Sequence, residues 1–134
     1  MHRADCPFCQ PAPERSVAET SLTVTLRDGF PVSPGHTLVV PKRHFPDFFE
    51  ATAEEIAEIW QALRQAAKEL ASERHPDGFN VCVNVGRAAG QTVMHLHVHL
   101  IPRYAGDQTD PRGGVRRIFP DLADYWSRKD RSSV

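Results

Sequence analysis

The clearest periodic pattern in the chain lies between residues 52 and 74. Apolar side chains recur there three and four residues apart, at Ile56, Ile59, Trp60, Leu63, Ala67 and Leu70. Residues at this spacing share one face of an α-helix. The Thr52-Ala53-Glu54-Glu55 sequence is a capping box, in which a hydroxyl and a carboxylate satisfy free backbone amides. The pattern predicts one long amphipathic helix that ends near Arg74, before the Pro76-Asp77-Gly78 break.

Short apolar runs bounded by turn residues predict strands on both sides of this helix. Residues 22–26 and 37–40 form such runs before it, separated by the turn-forming pairs Asp28-Gly29 and Pro34-Gly35. Residues 79–84 and 94–101 follow it, with a single loop between them. Because strands joined by one loop are usually antiparallel neighbours, we expect an α+β domain whose sheet carries the helix on one face.

Three histidines alternate with apolar residues in the last predicted strand, Met94-His95-Leu96-His97-Val98-His99-Leu100-Ile101. A strand would align His95, His97 and His99 on one face and place the apolar residues on the other. At roughly 3.3 Å per residue, the outer two imidazoles would lie about 13 Å apart. Folding does not require such a row. Phosphate chemistry and metal binding do use imidazole, as a nucleophile, proton carrier or ligand.

The loop before the histidines, residues 84–93, contains two glycines, an amide and a hydroxyl. Glycines allow backbone amides to approach an anion closely, and successive amides form a concave site for phosphate oxygens. Taken alone, the loop is also consistent with a hairpin connection that needs Gly86 and Gly90 for positive φ. Next to three aligned histidines, a phosphate site is the better interpretation.

Length and composition limit the class of protein. The 134 residues, 40% hydrophobic and 25% charged, predict a single globular domain over residues 1–134, with an irregular arm over 1–15 and a loop and tail from about 105. A net charge of −1 gives no electrostatic case for a nucleic acid or membrane partner. Residues 1–10 lack the apolar segment of a signal peptide. Three cysteines argue against a secreted disulfide framework, so we expect a cytoplasmic protein.

The histidine motif with its preceding loop resembles the signature of the histidine triad, or HIT, superfamily of nucleotide hydrolases and transferases; it reads Gly90-Gln91-Thr92-Val93-Met94-His95-Leu96-His97-Val98-His99-Leu100-Ile101. The resemblance extends upstream through Asp28, Pro34-Gly35-His36, residues 38–42 and His44, and covers about residues 5–105. It implies a HIT-like fold, with an antiparallel sheet of about five strands, one long helix and short helical segments packed on it. It also implies a homodimer.

The resemblance implies a role for each residue of the motif. The triad His95, His97 and His99 would be catalytic: His97 attacks an α-phosphate and becomes transiently nucleotidylated, and His99 contacts phosphate and helps to transfer the proton. His36 would support the triad from behind. The implied nucleotide-binding residues are Asp28 for ribose hydroxyls, with Asn84, Gly90, Gln91, Thr92, Val93 and His99 near phosphate. Simpler alternatives are a turn residue for Asp28, a core histidine for His36 and a strand cap for Asn84.

Cys6 and Cys9 form a Cys-x-x-Cys motif in the proline-containing arm. In a chain that is not secreted, this motif indicates a metal site or a redox site. Redox motifs of the thioredoxin type open a helix after a strand, and this motif lies in an irregular arm. Zinc needs two more ligands, which the resemblance implies are His44 and His95, in a closed structural site. Cys82 is most simply a core residue.

The resemblance leaves the branch of the superfamily open. Residues 102–107 resemble Fhit-type dinucleoside polyphosphate hydrolases, whereas Pro41-Lys42-Arg43-His44 and the cysteine pair resemble Hint-type phosphoramidate hydrolases. A histidine at position 99 argues against nucleotidyl transferases, which have glutamine there. We expect a hydrolase that releases a nucleoside monophosphate, AMP by implication, from a purine substrate such as diadenosine tetraphosphate or a phosphoramidate. The alternatives are a nucleotide-binding or regulatory module with incidental turnover, and a metal-dependent hydrolase.

Overall fold

The computed structural model describes residues 3–128. Its strands are β1 (Ser16–Glu19), β2 (Thr23–Arg27), β3 (Thr37–Pro41), β4 (Gly78–Cys82) and β5 (Val98–Arg103), and its main helix is α1 (Ala53–Arg74). The strands form one antiparallel sheet in the order β1-β2-β3-β5-β4. Short 3-10 turns occur at Pro13–Arg15, Phe48–Glu50 and Arg87–Ala89. The predicted α+β fold is therefore confirmed.

Helix α1 begins and ends as the sequence predicts. The Thr52 hydroxyl accepts a hydrogen bond from the Glu55 amide at 3.1 Å, and a Glu55 carboxylate oxygen accepts one from the Thr52 amide at 2.9 Å. The helix ends at Arg74, and its C-cap residue His75 has a φ of 50°, in the left-handed region. Its apolar face packs on the sheet in a buried cluster of Val39, Phe45, Ile59, Ala62, Leu63, Ala66, Leu70, Leu96, Val98 and Leu100.

The two faces of the sheet have different covers. Val39 of β3 and Val98 of β5 are cross-strand partners in the cluster that α1 covers. The next pair along the two strands, Leu38 and His99, therefore faces the other side. On that side the N-terminal arm contributes buried side chains to a second cluster, which contains Cys6, Phe8, Val24, Leu26, Leu38 and Val40. The arm, rather than the helix, covers the face that carries His99.

Strand β5 begins later than the sequence predicts. Sheet pairing starts at Val98, so the expectation that all three histidines lie in one strand is wrong. His95 and His97 belong to the irregular segment that leads into β5. In that segment the Leu96 amide donates to the Phe45 carbonyl at 2.7 Å, outside the sheet ladder. The strand predicted at residues 79–84 is also displaced slightly and occupies Gly78–Cys82.

The chain divides into two compact units, Met1–Tyr104 and Ala105–Val134. The first contains the sheet, α1 and the three histidines. The second contains two 3-10 turns and arginine–aromatic contacts, among them the Arg112 guanidinium 4.3 Å from the Trp126 ring centroid. A single domain over residues 1–134 stays a prediction, and residues 129–134 of the predicted tail lie outside the described residues. Within residues 3–128, no helix combines the length and the apolarity that crossing a membrane requires.

Candidate active site

The arm, the segment after β3 and the histidine motif bring four metal-ligating side chains together. The Cys6 sulfur lies 3.4 Å from Nδ1 of His95, and the Cys9 sulfur lies 3.3 Å from Nδ1 of His44 and 3.5 Å from Nδ1 of His95. The two Nδ1 atoms are 3.1 Å apart. Tetrahedral zinc with ordinary bond lengths requires about 3.3 Å between two nitrogens and about 3.6 Å between nitrogen and sulfur. These four residues could therefore hold a metal ion.

The hydrogen bond of His95 determines which ring nitrogen faces the cysteines. Its Nε2 lies 2.7 Å from the carbonyl oxygen of Pro41 and donates to it, because a carbonyl only accepts. In the neutral ring, Nδ1 then directs its lone pair at the two sulfurs. Burial is the main cause that lowers the pKa of His95, and it favours the neutral form that binds metals. His95 thus belongs to the metal-ligating group and does not line the cavity described below.

His97 is held by the backbone just before it. Its Nδ1 lies 2.8 Å from the carbonyl oxygen of His95 and donates to it, so that the lone pair of the neutral ring is on Nε2. The Phe8 ring of the arm packs against the His97 ring, with a centroid distance of 4.9 Å. The His99 ring packs against it with a centroid distance of 5.2 Å. These contacts orient a ring whose unprotonated nitrogen can act as a nucleophile.

His36 and Asp28 extend the hydrogen-bonded system behind His99. The Val32 amide donates to Nδ1 of His36 at 3.1 Å, which places the proton of neutral His36 on Nε2. That Nε2 lies 2.9 Å from Nδ1 of His99 and 3.3 Å from a carboxylate oxygen of Asp28. Because Nδ1 of His99 accepts, its own proton is on Nε2. Burial, with smaller contributions from His97 and His36, lowers the pKa of His99 to about 4, so its ring is a neutral hydrogen-bond donor near pH 7.

A cavity of about 280 Å³ lies in front of His97 and His99. Of the residues that the sequence predicts for nucleotide binding, six line this cavity: Asp28, Asn84, Gly90, Thr92, Val93 and His99. They come from the turn after β2, the loop after β4 and the strand β5. The structure thus brings the predicted ribose-binding carboxylate, the predicted phosphate loop and the candidate nucleophile to one cavity. His36 lies behind His99.

Gln91 is placed differently from the prediction. It is 4% exposed and does not line the cavity. Its Oε1 accepts from the Gly86 amide at 2.9 Å, and its Nε2 donates to the Pro46 carbonyl at 2.9 Å and to the Val93 carbonyl at 3.2 Å. Because the backbone around it occupies both ends of the amide, Gln91 stabilises the loop instead of facing a phosphate. Gly90 provides the bend of this loop, with a φ of 94° that L-residues rarely adopt.

Six further residues line the cavity that the sequence analysis did not assign to a site, among them Phe8, Arg15 and Phe30. Phe8 lies inside the Cys-x-x-Cys motif, which predicts a role only for its cysteines. Its contact with His97 depends on the arm folding across the sheet, which local sequence does not encode. Arg15 and Phe30 occupy turns next to β1 and β2, and Phe30 is 91% exposed at the cavity. Only the three-dimensional arrangement identifies these residues.

Comparison with known proteins gives a consistent result. The family model of the HIT domain matches residues 10–106. Among similar proteins, Protein hit of Bacillus subtilis strain 168 is 38% identical over 140 residues, which cover 100% of this chain and 92% of that protein. Adenylylsulfatase HINT3 of Arabidopsis thaliana is 33% identical over 107 residues, which cover 77% of this chain and 54% of that protein.

Two solved structures show the same fold with substantial sequence identity. A zinc-bound histidine triad family protein from Mycobacterium smegmatis has a TM-score of 0.71 and 34% identity, covering 79% of this chain and 80% of the other. A hypothetical histidine triad nucleotide-binding protein from Sulfolobus tokodaii strain7 has a TM-score of 0.71 and 37% identity, covering 78% of this chain and 73% of the other. Both similarities extend over most of each chain.

Proposed function

The chain belongs to the HIT domain family, and from this membership and the geometry of its histidines we propose that it is a nucleotide hydrolase. It releases a nucleoside monophosphate from a dinucleoside polyphosphate or a nucleoside phosphoramidate, through a nucleotidyl intermediate on His97. AMP is the product that the resemblance implies. The observation that carries the proposal is the hydrogen bond from Nδ1 of His97 to the His95 carbonyl, because it leaves a lone pair on Nε2 of a ring that lines the cavity.

In the first step, Nε2 of His97 attacks the α-phosphorus, and a nitrogen–phosphorus bond forms as the bond to the leaving group breaks. The electron pair of the broken bond departs with the leaving group. A polyphosphate leaves as an anion and needs no added proton, whereas an amine takes one proton from the solvent. The positive charge that develops on the His97 ring is stabilised by its Nδ1–H bond to the His95 carbonyl. His99 donates its Nε2–H to a phosphate oxygen, on which negative charge increases.

In the second step, water attacks the phosphorus of the nucleotidylated His97. The nitrogen–phosphorus bond breaks, its electron pair returns to Nε2, and the nucleoside monophosphate leaves. The proton that water loses passes to the solvent, so that His97 returns to the neutral tautomer with its proton on Nδ1. The same hydrogen bond to the His95 carbonyl therefore serves both steps.

We propose binding roles for the residues that surround His97 in the cavity. Asp28 accepts hydrogen bonds from the ribose hydroxyls. Asn84, Gly90, Thr92 and Val93 contact the phosphates, and their common position in the loop after β4 supports this assignment. Gln91 has a positioning role, because its amide is bonded to the backbone of the loop.

We also propose a structural zinc ion on Cys6, Cys9, His44 and His95. The convergence of four donor atoms supports it, and so does the zinc-bound relative from Mycobacterium smegmatis. These four residues would hold the ion in a closed site, where it would supply a cross-link and not a reacting group. The arm would then be held against the sheet, with Phe8 packed on the ring of His97.

The relatives support two neighbouring possibilities. The name of the Arabidopsis relative indicates cleavage of an adenylyl–sulfate bond, and the same two steps would apply with sulfate as the leaving group. The Sulfolobus relative is described as nucleotide-binding, which fits the alternative of a binding or regulatory module with incidental turnover. Slow turnover combined with tight binding of the product would favour that alternative.

We propose a homodimer as the resemblance implies, and a cytoplasmic location from the cysteine count. On α1, Trp60 is 58% exposed and Ile56 lies beside it at 37%, which supports an apolar contact made by this helix. Light scattering at micromolar concentration tests the proposal: we expect the mass of a dimer, and a monomer under those conditions would contradict it.

The hydrolase proposal is tested by measuring AMP release from diadenosine tetraphosphate and from an adenosine phosphoramidate. We expect wild-type protein to cleave at least one of them and His97→Ala to cleave neither. Arg64→Ala, an exposed change on α1, is the matched control and should retain wild-type rates. Equal rates for wild type and His97→Ala would contradict the proposal. The substrate cleaved faster assigns the branch of the family.

A further inference from the structure

We infer that Arg15 determines which nucleobase the cavity accepts, and that it favours a 6-oxopurine such as guanine over adenine. This inference rests on the proposed function and identifies the nucleoside of its substrate. It departs from the adenine that the resemblance implies. Three observations support it. The side chain of Arg15 is anchored to β2, its guanidinium lies over Gly29, and its terminal nitrogens have no partner within residues 3–128.

Arg15 is held at two points beside the cavity. It is the last residue of the 3-10 turn that leads into β1, and its amide donates to the Ala12 carbonyl at 3.0 Å. Its side-chain Nε donates to the carbonyl of Arg27, at the end of β2, at 3.0 Å. The second anchor lies in β2, where Leu26 pairs with Ser16, the residue that follows Arg15. The guanidinium is therefore positioned before any ligand arrives.

The guanidinium lies flat over Gly29. A Cβ atom built on Gly29 would lie 3.2 Å from Cζ, 3.2 Å from Nη1 and 3.5 Å from Nη2 of Arg15. These nearly equal distances show that the plane of the guanidinium faces the Gly29 backbone. Gly29 has no positive φ, so its backbone does not require glycine. A side chain at position 29 would instead press on the guanidinium of Arg15 and shift it by a few tenths of an ångström.

The terminal nitrogens of Arg15 are available to a ligand. Within residues 3–128 they have no hydrogen-bond or ion-pair partner. The neighbouring carboxylate of Asp28 contacts other groups: it accepts from the Phe30 amide at 2.7 Å and lies 3.3 Å from Nε2 of His36. Among residues 3–128, Arg15 is also the one arginine or lysine that lines this cavity.

The position of Arg15 indicates the nucleoside and not the phosphates as its target. Its guanidinium covers Gly29, directly after the carboxylate of Asp28 that we assign to the ribose. The loop that we assign to the phosphates, which includes Gly90 and Thr92, follows β4, whereas Arg15 and Gly29 adjoin β1 and β2. A base attached to a ribose at Asp28 would lie within reach of the terminal nitrogens.

Hydrogen-bond chemistry selects the base. A guanidinium presents two parallel N–H donors, which match two acceptors side by side. Guanine offers such a pair in N7 and O6. Adenine offers N7 next to an amino group, so one donor of Arg15 would meet another donor. A bidentate match of this kind discriminates between bases by about tenfold or more.

The test measures the affinities of GMP, AMP and inorganic phosphate for the full chain by calorimetry. For wild type we expect GMP to bind about tenfold more tightly than AMP. Arg15→Ala should bring the ratio of the two affinities close to one. Arg15→Lys should do the same, since an ammonium keeps the charge but lacks the two parallel N–H donors of a guanidinium. Gly29→Ala should also lower the ratio, because its methyl group displaces the guanidinium. Arg64→Ala is the matched control and should keep the wild-type ratio.

Each outcome bears on the inference separately from the proposed hydrolysis. Equal affinities for GMP and AMP in the wild type, or a ratio that Arg15→Ala leaves unchanged, would overturn it. A parallel loss of GMP, AMP and phosphate binding in Arg15→Ala would also overturn it, and would make Arg15 a phosphate contact. In all three cases nucleotide release that depends on His97 would stand. If His97→Ala hydrolyses nucleotides normally while the GMP preference depends on Arg15, the hydrolase proposal fails and the base-binding role stands.

Discussion

The Nε2 atom of His36 lies 2.9 Å from the Nδ1 atom of His99. The Val32 amide occupies the other nitrogen of His36, so the proton between the two rings belongs to His36. His99 is thereby fixed as the tautomer with its proton on Nε2, toward the substrate in our proposal. A buried residue that does not line the cavity thus determines which hydrogen bond a cavity residue can make.

We expect His36→Ala to lower kcat on the order of tenfold or more, because His99 would lose the donor that fixes its tautomer. KM should change less, since His36 does not line the cavity. His36→Gln is the matched variant, because its amide N–H can replace the Nε2–H, and it should recover part of kcat. Steady-state kinetics on a substrate that the wild type cleaves would provide both constants. Wild-type kcat in a folded His36→Ala protein would contradict the prediction.

Acid should destabilise the protein by protonating its buried histidines. Burial lowers the pKa of His36 and of His99 in the folded state, that of His99 to about 4. The unfolded chain binds protons near the ordinary pKa of about 6.5. Between these values the unfolded state binds more protons, so the free energy of unfolding falls as pH decreases from about 6.5 to about 4. This loss of stability is complete once the pH is below the pKa values of these histidines in the folded state.

Urea unfolding at a series of pH values tests this dependence for His99. Removing one such histidine should reduce the slope by at most about 1.4 kcal/mol per pH unit. Between pH 6.5 and 4 we therefore expect the free energy of unfolding to fall less steeply for His99→Asn than for the wild type. The two proteins have the same carboxylates, so these contribute equally to both slopes. Ser72→Ala, an exposed change on α1 that removes no ionisable group, is the control and should keep the wild-type slope. Equal slopes for His99→Asn and wild type would contradict the assignment.

The four-residue metal group should contribute to stability and hold one zinc ion per chain. We expect Cys9→Ala to lose the zinc and to lower the thermal midpoint, because binding free energy at a site absent from the unfolded chain is folding free energy. Cys82→Ala, which removes a thiol outside the group, should retain the zinc. Metal content by atomic emission and melting with and without a chelator provide the measurement. A zinc-free wild type, or a chelator-insensitive midpoint, would refute the zinc proposal.

The capping box of α1 should have a measurable effect on stability. Thr52→Ala removes the hydroxyl that accepts from the Glu55 amide, and we expect it to lower the free energy of unfolding by about 1 kcal/mol. For a chain of this size the thermal midpoint would fall by roughly 3 to 5 °C. Thr52→Ser keeps the hydroxyl and should remain near the wild type. If the thermal midpoint of Thr52→Ala were unchanged, the contacts of α1 with the sheet would be enough to determine where the helix begins.

Local sequence signals predicted α1 and four of the five strands. The helix was predictable because its cap and its apolar face are encoded within a few turns of chain. The four metal-ligating residues and most of the cavity residues were predictable because the motif with the three histidines is distinctive. The roles of these metal-site and cavity residues were inferred from the family resemblance and not from the spacing of residues in the sequence. Those roles stay proposals.

Contacts between distant segments were not predictable in the same way. The alternation of His95 and His97 with apolar residues is typical of a strand, yet the Leu96 amide bonds to Phe45 and not to a neighbouring strand. Gln91 has the sequence position of a phosphate ligand, but its amide matches the backbone groups of Gly86, Pro46 and Val93. The contact of Phe8 with His97 requires the arm to cross the sheet.

The most direct test of the account is to trap the intermediate on His97. Wild type and His97→Ala are incubated briefly with a dinucleoside polyphosphate labelled at the α-phosphate and then denatured in alkali, in which a phosphoramidate survives. We predict label on the wild-type protein that acid releases and that peptide mapping assigns to His97, and no label on His97→Ala. Equal labelling of His97→Ala, or rapid hydrolysis by a wild type that never carries label, would contradict a nucleotidyl-histidine mechanism.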